Sequence, residues 1–61
     1  MPKYIIGWSF DYSTPEEHWC DKSSIQASNQ QSACSYYTNQ NRVVADNPVA
    51  VLHVKEVKHD N

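Results

Sequence analysis

The N-terminal segment alternates large and small side chains more regularly than any other part of the chain, and this constrains the fold most. Large residues occupy every second position, at Tyr4, Ile6, Trp8, Phe10 and Tyr12. Successive side chains of a β-strand point to opposite faces, so the pattern predicts a strand from about Lys3 to Tyr12. We expect the large side chains at positions 4, 6, 8 and 10 to face the core.

The length of the chain limits it to one small domain, residues 1–61. A domain of this size buries only about 60% of the surface that its unfolded chain exposes, so its stability is marginal unless it is crosslinked or assembled. Self-association into a homo-oligomer is therefore one alternative. The apolar residues suffice for one core but not for a deep active-site cleft as well.

The charge distribution argues against nucleic-acid binding. The formal net charge is −2, and the cations are scattered along the chain, whereas phosphate binding needs them clustered. No apolar stretch approaches the roughly 20 residues that span a membrane. Met1-Pro2-Lys3 leads directly into the first strand without the features of a signal peptide. We therefore expect a complete short reading frame that works in the cytoplasm, with neither nucleic acid nor membrane as partner.

A helix start is predicted after the first strand. Thr14, Pro15 and Glu17 stand at the N-cap, first and third helical positions of a capping box. The carboxylates of Glu16 and Glu17 also suit the positive end of a helix dipole. The sequence therefore predicts a helix that begins at Pro15 and is capped by the Thr14 side chain.

The middle of the chain carries no charge. Residues 23–41 contain no Asp, Glu, Lys or Arg and are rich in Ser, Gln and Asn. A weak helical spacing of apolar side chains predicts an amphipathic helix from about Ser24 to Tyr37, with Ser24 as its cap. The alternative is a polar loop followed by a strand from Ala33 to Tyr37.

Two apolar runs near the C-terminus are rich in β-branched residues. They extend from Arg42 to Ala45 and from Val49 to Val57, and Asp46-Asn47-Pro48 between them is typical of a turn. This pattern predicts a β-hairpin, with a helix capped at Asn47-Pro48 as the alternative. The polar ending from about residue 58 predicts a solvated tail.

These elements predict a small α+β domain. The large apolar residues cluster at the two ends of the chain, so the first strand should pair with the C-terminal hairpin in a three-stranded, mainly antiparallel sheet. One or two helices from the middle would then cover one face of the sheet, which gives two layers in the order strand–helix–hairpin.

Glycine is scarce, which restricts the turns. Gly7 is the only one, so turns that need a positive φ must use Asn or Asp. The residues available for this are Asn29, Asn39, Asn41, Asp46 and Asn47. Gly7 lies within the first strand, opposite the aromatic face. A glycine there indicates a bulge, a close helix, or close contact with a ligand or partner.

The potential metal ligands and catalytic residues form no specific motif. The soft ligands are His18, Cys20, Cys34, His53 and His59, and their spacing matches no compact zinc site. No nucleophile elbow, phosphate-binding loop or paired-carboxylate motif is present in the sequence. We therefore expect no metal, no cofactor and no catalysis. The cysteines are expected to be thiols in a reducing cytoplasm, and a disulfide between them in a secreted domain is the alternative.

The remaining features indicate a protein-binding surface. The preferred surface combines Trp19, as an aromatic anchor, with the carboxylates of Asp11, Glu16 and Glu17, and the second consists of Tyr36, Tyr37 and the uncharged segment. Trp, Tyr and uncharged polar residues are common at the centres of interfaces. The alternative is that Trp19 and one tyrosine complete the core.

We therefore expect a small non-catalytic module that occupies the surface of a larger protein. Many short phage and mobile-element proteins inhibit or redirect a host enzyme in this way. A self-assembling structural homo-oligomer is the alternative function.

Overall fold

The N-terminal strand lies at the centre of a small antiparallel sheet. The computed structural model describes residues 1–58. It contains strands β1 (Lys3–Ser9), β2 (Cys20–Gln26) and β3 (Val51–Val57), helices α1 (Gln30–Gln40) and α2 (Arg42–Asp46), and a 3₁₀ turn at Glu16–His18. The sheet order is β2-β1-β3, with both pairings antiparallel. The predicted fold class, a three-stranded antiparallel sheet with helices in an α+β domain, is confirmed.

The core lies on one side of this sheet, which we call the helix face. It consists of Tyr4, Ile6 and Ile25 from the sheet and Ala33, Tyr37 and Val44 from the helices. Ile6 and Tyr37 are the largest fully buried side chains. No helix within residues 1–58 is long and apolar enough to cross a membrane.

The first strand is shorter than its alternating pattern predicts. Tyr4 and Ile6 are buried and Trp8 packs against the core, as expected, but Phe10 is 62% exposed, so its predicted place in the core is wrong. The ladder ends at Ser9, whose hydroxyl bonds to both the carbonyl and the N–H of Asp11. These bonds turn the chain after Ser9. The strand therefore ends there, although the alternation of large and small residues in the sequence continues to Tyr12.

The predicted helix at Pro15 is a single 3₁₀ turn, and Thr14 does not cap it. Within the described residues, no side-chain cap bond is made at its start. Thr14 instead contributes its carbonyl, which accepts a hydrogen bond of 2.9 Å from the Trp19 indole N–H. Trp19 is already extended, with ψ of 138°, and β2 begins at the next residue, so the helix cannot propagate.

The second strand lies where the sequence predicts the start of a helix. The predicted helix is formed as α1, which begins six residues later than expected and is capped by Asn29 instead of Ser24. The alternative strand from Ala33 to Tyr37 is not formed. The Asn29 side chain accepts a hydrogen bond of 2.8 Å from the Ser32 N–H. Only Ile25 of β2 is buried, so this edge strand shows no alternation to predict it.

The predicted C-terminal hairpin is wrong, because its first strand is helix α2. Val44 enters the core, Val43 is exposed, and Arg42 forms an ion pair of 3.1 Å with Asp46 one turn later. The second run does form a strand, β3, within its predicted limits. The third strand of the sheet is therefore β2, and the order strand–helix–hairpin is replaced by strand–strand–helix–helix–strand. Lys58 is exposed, and the rest of the predicted tail lies outside the described residues.

A bulge in β2 lies opposite Gly7. The register changes between Ile6, which pairs with Ser23, and Trp8, which pairs with Cys20. Two residues of β2 therefore face one of β1, and the first of them, Asp21, has a φ of +51°. An Asp does supply the positive φ, as expected for a chain short of glycine. However, it is none of the five residues predicted for that role, and Asn29, Asn41 and Asn47 all have negative φ.

Candidate functional site

Trp19 packs onto the sheet on the side opposite the helices, which we call the loop face. Its ring stacks on His53 with centroids 4.9 Å apart and an angle of 11° between planes. A Cβ added at Gly7 would lie only 2.7 Å from the Trp19 Cβ, so glycine is required by this close approach. With its indole N–H bonded to Thr14 as well, Trp19 holds the segment 10–19 against the sheet.

A buried serine and histidine lie next to Trp19. Ser9 Oγ is 2.6 Å from His53 Nε2 and 2.8 Å from the carbonyl oxygen of Asp11. Since the Asp11 carbonyl can only accept, the bonding geometry assigns the single hydroxyl proton to that bond and an Nε2–H of His53 to the contact with Ser9 Oγ. A nucleophile and its general base need the opposite polarity, with the hydroxyl donating to the imidazole. The hydrogen bonds of Ser9 link β1 to His53 of β3 and to Asp11 in the turn that follows β1.

The acidic residues of the preferred surface are spread over the loop face and have different partners. Glu16 forms an ion pair of 2.9 Å with Lys55 of β3, and this hydrogen bond lowers the pKa of the Glu16 carboxyl. Asp11 accepts bonds from the N–H and hydroxyl of Ser13, which lower its pKa. Glu17 is exposed. Two of the three carboxylates therefore have hydrogen-bond partners within the protein.

The two tyrosines of the second surface have opposite environments. Tyr37 is fully buried, and its hydroxyl donates a hydrogen bond of 2.8 Å to the Asp21 carbonyl at the bulge. Burial, together with the nearby Asp21 and Cys20, raises the pKa of Tyr37 to about 12. Tyr36 points away from the core and is 56% exposed. Only Tyr36 of this pair is accessible to a partner.

Tyr36 borders a surface groove of about 590 Å³ between β2 and α1, which we call the Tyr36 groove. Its lining contains no charged side chain and consists of Met1, Ser24, Ile25, Gln26, Ala27, Ser28, Ser32 and Tyr36. Tyr36 and other residues of the uncharged segment therefore border the same groove. Its position depends on β2, which sequence reasoning missed.

The backbone of β2 also faces this groove. Ala27 N–H donates a hydrogen bond of 3.2 Å to the Pro2 carbonyl, in register with the pairing of Lys3 and Gln26. In an antiparallel ladder, residues that bond to the neighbouring strand alternate with residues whose N–H and C=O point away from it. Ser24 and Gln26 therefore direct their backbone groups outward, at an edge of β2 that no other strand of residues 1–58 pairs with.

A second accessible surface lies where β1 ends. The Trp8 and Phe10 rings meet edge to face with centroids 5.1 Å apart. Phe10 and Tyr12, just beyond Ser9, are exposed, as is Val49 before β3. The alternating pattern of the first segment continues through Phe10 and Tyr12, so it does not show that the strand ends at Ser9 and that these two rings are exposed.

Potential metal ligands do not converge in the described part of the chain. Among residues 1–58, no group of three or more His, Cys, Asp or Glu side chains is placed to hold a metal ion. Within the same range Cys20 and Cys34 are free thiols, and burial raises the pKa of Cys34.

Comparison of the chain with protein families, with curated proteins and with solved structures found no match.

Proposed function

We propose that the protein is a small, non-catalytic protein-binding module that contacts a larger protein through the Tyr36 groove. The observation that carries this proposal is an aromatic side chain, 56% exposed, on the rim of a groove whose lining has no charged side chain. Tyr supplies a large contact area for little loss of conformational entropy, and charge depletion is typical of interface centres.

The Tyr36 groove is a better candidate than the surface around Trp19. The Trp19 ring stacks on His53 and its indole N–H is bonded to the Thr14 carbonyl, so a partner could not bury the ring without detaching the segment 10–19. Tyr36 has no such role in the core. Of the acidic residues, exposed Glu17 remains free to steer a basic partner during association.

Occupation of a partner's surface would inhibit or redirect that partner. We include origin from a phage or mobile element in this proposal, because many proteins from these sources act by occupying the surface of a host protein. We place this function in the cytoplasm, supported by the free thiols of Cys20 and Cys34, which are usual in a reducing compartment. The disulfide that the secreted alternative needs is not formed between these two residues.

Affinity capture with matched tyrosine variants tests the proposal. Wild type, Tyr36→Ala and Tyr12→Ala would each be immobilised, and bound proteins from a cell lysate would be quantified by mass spectrometry. Tyr12 is the control because it is also exposed, at 85%, but does not line the groove. A contact at an interface centre contributes about 2 kcal/mol or more, so we expect at least about 30-fold weaker capture of the partner by Tyr36→Ala alone.

The melting temperature must be measured on the same samples. Both variants should unfold close to wild type, because both side chains are exposed. The proposal is wrong if Tyr36→Ala captures the partner as well as wild type, or if both variants lose it equally.

Self-assembly is the second candidate, favoured by a specific observation. Within residues 1–58, β2 and β3 each pair on one side only, and Phe10 and Val49 are exposed. Open edges and apolar surface are the usual routes to strand-mediated association. Sedimentation equilibrium over a wide concentration range distinguishes the two functions, since a monomer mass throughout would reject the oligomer.

A further inference from the structure

We propose that the Tyr36 groove receives an extended segment of the partner, which adds to β2 as a fourth strand of the sheet. This inference rests on the proposed function and deepens it, because it specifies the conformation and chemistry of the bound segment.

The backbone of β2 provides the first argument. Ser24 and Gln26, whose N–H and C=O groups point away from β1, both line the groove. A row of alternating outward donors and acceptors is matched by another extended backbone, whose groups have the same spacing. A helix cannot match it, because its backbone groups bond internally.

The lack of edge protection provides the second argument. Natural edge strands are commonly protected by charged side chains, proline or bulges. In β2 the bulge and the charges of Asp21 and Lys22 lie in the first half of the strand, whereas residues 23–26 are uncharged and in regular register. β3 carries Lys55 and Glu56 in its second half. The unprotected part of β2 is the part that borders the groove.

The charge of the two faces of β2 specifies the side chains of the added strand. On the helix face, the added strand would lie beside Ile25, Ala27 and Tyr36, where a charge would lose hydration and no charged side chain of the groove could pair with it. On the loop face, a smaller groove of about 230 Å³ is bordered by Lys22 and Glu16, with Ser24 between the two grooves. The complementary segment therefore has uncharged, apolar or aromatic residues at every second position, and an acidic residue that reaches the exposed Lys22.

A display library tests this mode of binding and does not require the partner to be identified. Random dodecapeptides displayed on phage would be selected on immobilised wild-type protein, and enriched peptides would be synthesised and titrated. The decisive variant is Ser24→Pro, which removes an outward N–H without removing a bond to β1, at a position where an edge strand tolerates proline. Ser24→Ala is the control, because it removes the hydroxyl and keeps the N–H.

We expect enriched peptides with apolar residues at alternate positions that bind Ser24→Ala like wild type and Ser24→Pro at least about 10-fold more weakly. Amide hydrogen exchange of wild type gives a second measurement if Ser24→Pro fails to fold. Bound peptide should slow exchange at Ser24 and Gln26 by at least about 10-fold, since these amides then become hydrogen-bonded.

The inference is overturned if no peptide is enriched, if the peptides bind folded Ser24→Pro as tightly as wild type, or if exchange at Ser24 and Gln26 is unchanged. The proposed function is judged separately. A partner whose capture depends on Tyr36, yet survives Ser24→Pro, would retain the binding module and reject strand addition.

Discussion

Replacement of Trp19 by alanine should destabilise the fold. This expectation is the opposite of the one that follows if Trp19 is an exposed anchor for a partner. The indole is half-buried, stacks on His53 at 4.9 Å, and donates to the Thr14 carbonyl at 2.9 Å. Alanine would remove all three contributions while leaving the close Cβ contact at Gly7 in place.

The magnitude follows from these contacts. Full burial makes a Trp-to-Ala change cost about 3–5 kcal/mol, and half-burial reduces the apolar part. The stacked pair adds about 0.5–1.5 kcal/mol and the hydrogen bond about 0.5–1.5 kcal/mol. With the apolar part halved to about 1.5–2.5 kcal/mol, we expect a total of about 2.5–5.5 kcal/mol. A chain of 61 residues has a total stability of about 3–9 kcal/mol, so the variant would lose a large part of it.

Urea unfolding followed by circular dichroism measures this change directly. Tyr36→Ala is the control, since it removes an aromatic ring that is 56% exposed and should cost less than about 1 kcal/mol. A loss below about 1 kcal/mol for Trp19→Ala would refute the role of Trp19 in the fold. Trp19 would then again be a candidate for direct contact with a partner protein.

Three further changes test other parts of the structure by the same unfolding measurements. Gly7→Ala should cost about 1–3 kcal/mol, because the new methyl group collides with Trp19; a neutral or stabilising effect would contradict that packing. Phe10→Ala should cost about 1 kcal/mol or less, because the ring is exposed and retains mainly its edge contact with Trp8; a loss of about 3–5 kcal/mol would restore Phe10 to the core. In the folded protein the pKa of Tyr37 is raised to about 12, above the value near 10 of an unfolded tyrosine. The protonated hydroxyl therefore stabilises the fold fully below about pH 10, and this stabilisation is lost as the pH rises toward about 12. Tyr37→Phe should therefore be less stable than wild type at neutral pH and lose less stability over that interval, and identical alkaline profiles would contradict the burial of the hydroxyl.

The parts of the fold that could be predicted are those where burial leaves a periodic signal. β1 is central and covered on its helix face, so the buried Tyr4 and Ile6 alternate with the half-buried Lys3 and Ile5. The alternation fails at Phe10 because the limit of the strand is set by the hydrogen bonds between Ser9 and Asp11, which the pattern does not contain.

The edge and the short helix could not be predicted for physical reasons. β2 buries only Ile25, so its remaining residues are free to be polar and show no strand period. Val43 and Val44 favour a strand by their branching, but α2 needs only Val44 in the core and leaves Val43 exposed. Tertiary packing therefore overrode local preference at both places.

The sequence indicated which residues could border a binding surface, but not how the fold brings them together. The uncharged segment and Tyr36 do border a groove, because such residues remain at the surface when apolar residues fill the core. The role of Trp19 could not be decided from the sequence, since its partner His53 is brought to it only by the pairing of β1 with β3.

Amide hydrogen exchange along β2 of the free protein tests the central claim, an open strand edge beside the Tyr36 groove, most directly. The measurement requires only assigned NMR spectra of wild type at a concentration where the protein is monomeric. We expect slow exchange at Ile25 and Ala27, which bond to β1, and fast exchange at Ser24 and Gln26, which point outward. Equal protection at all four amides, or protection of Ser24 and Gln26 instead of Ile25 and Ala27, would contradict the open edge.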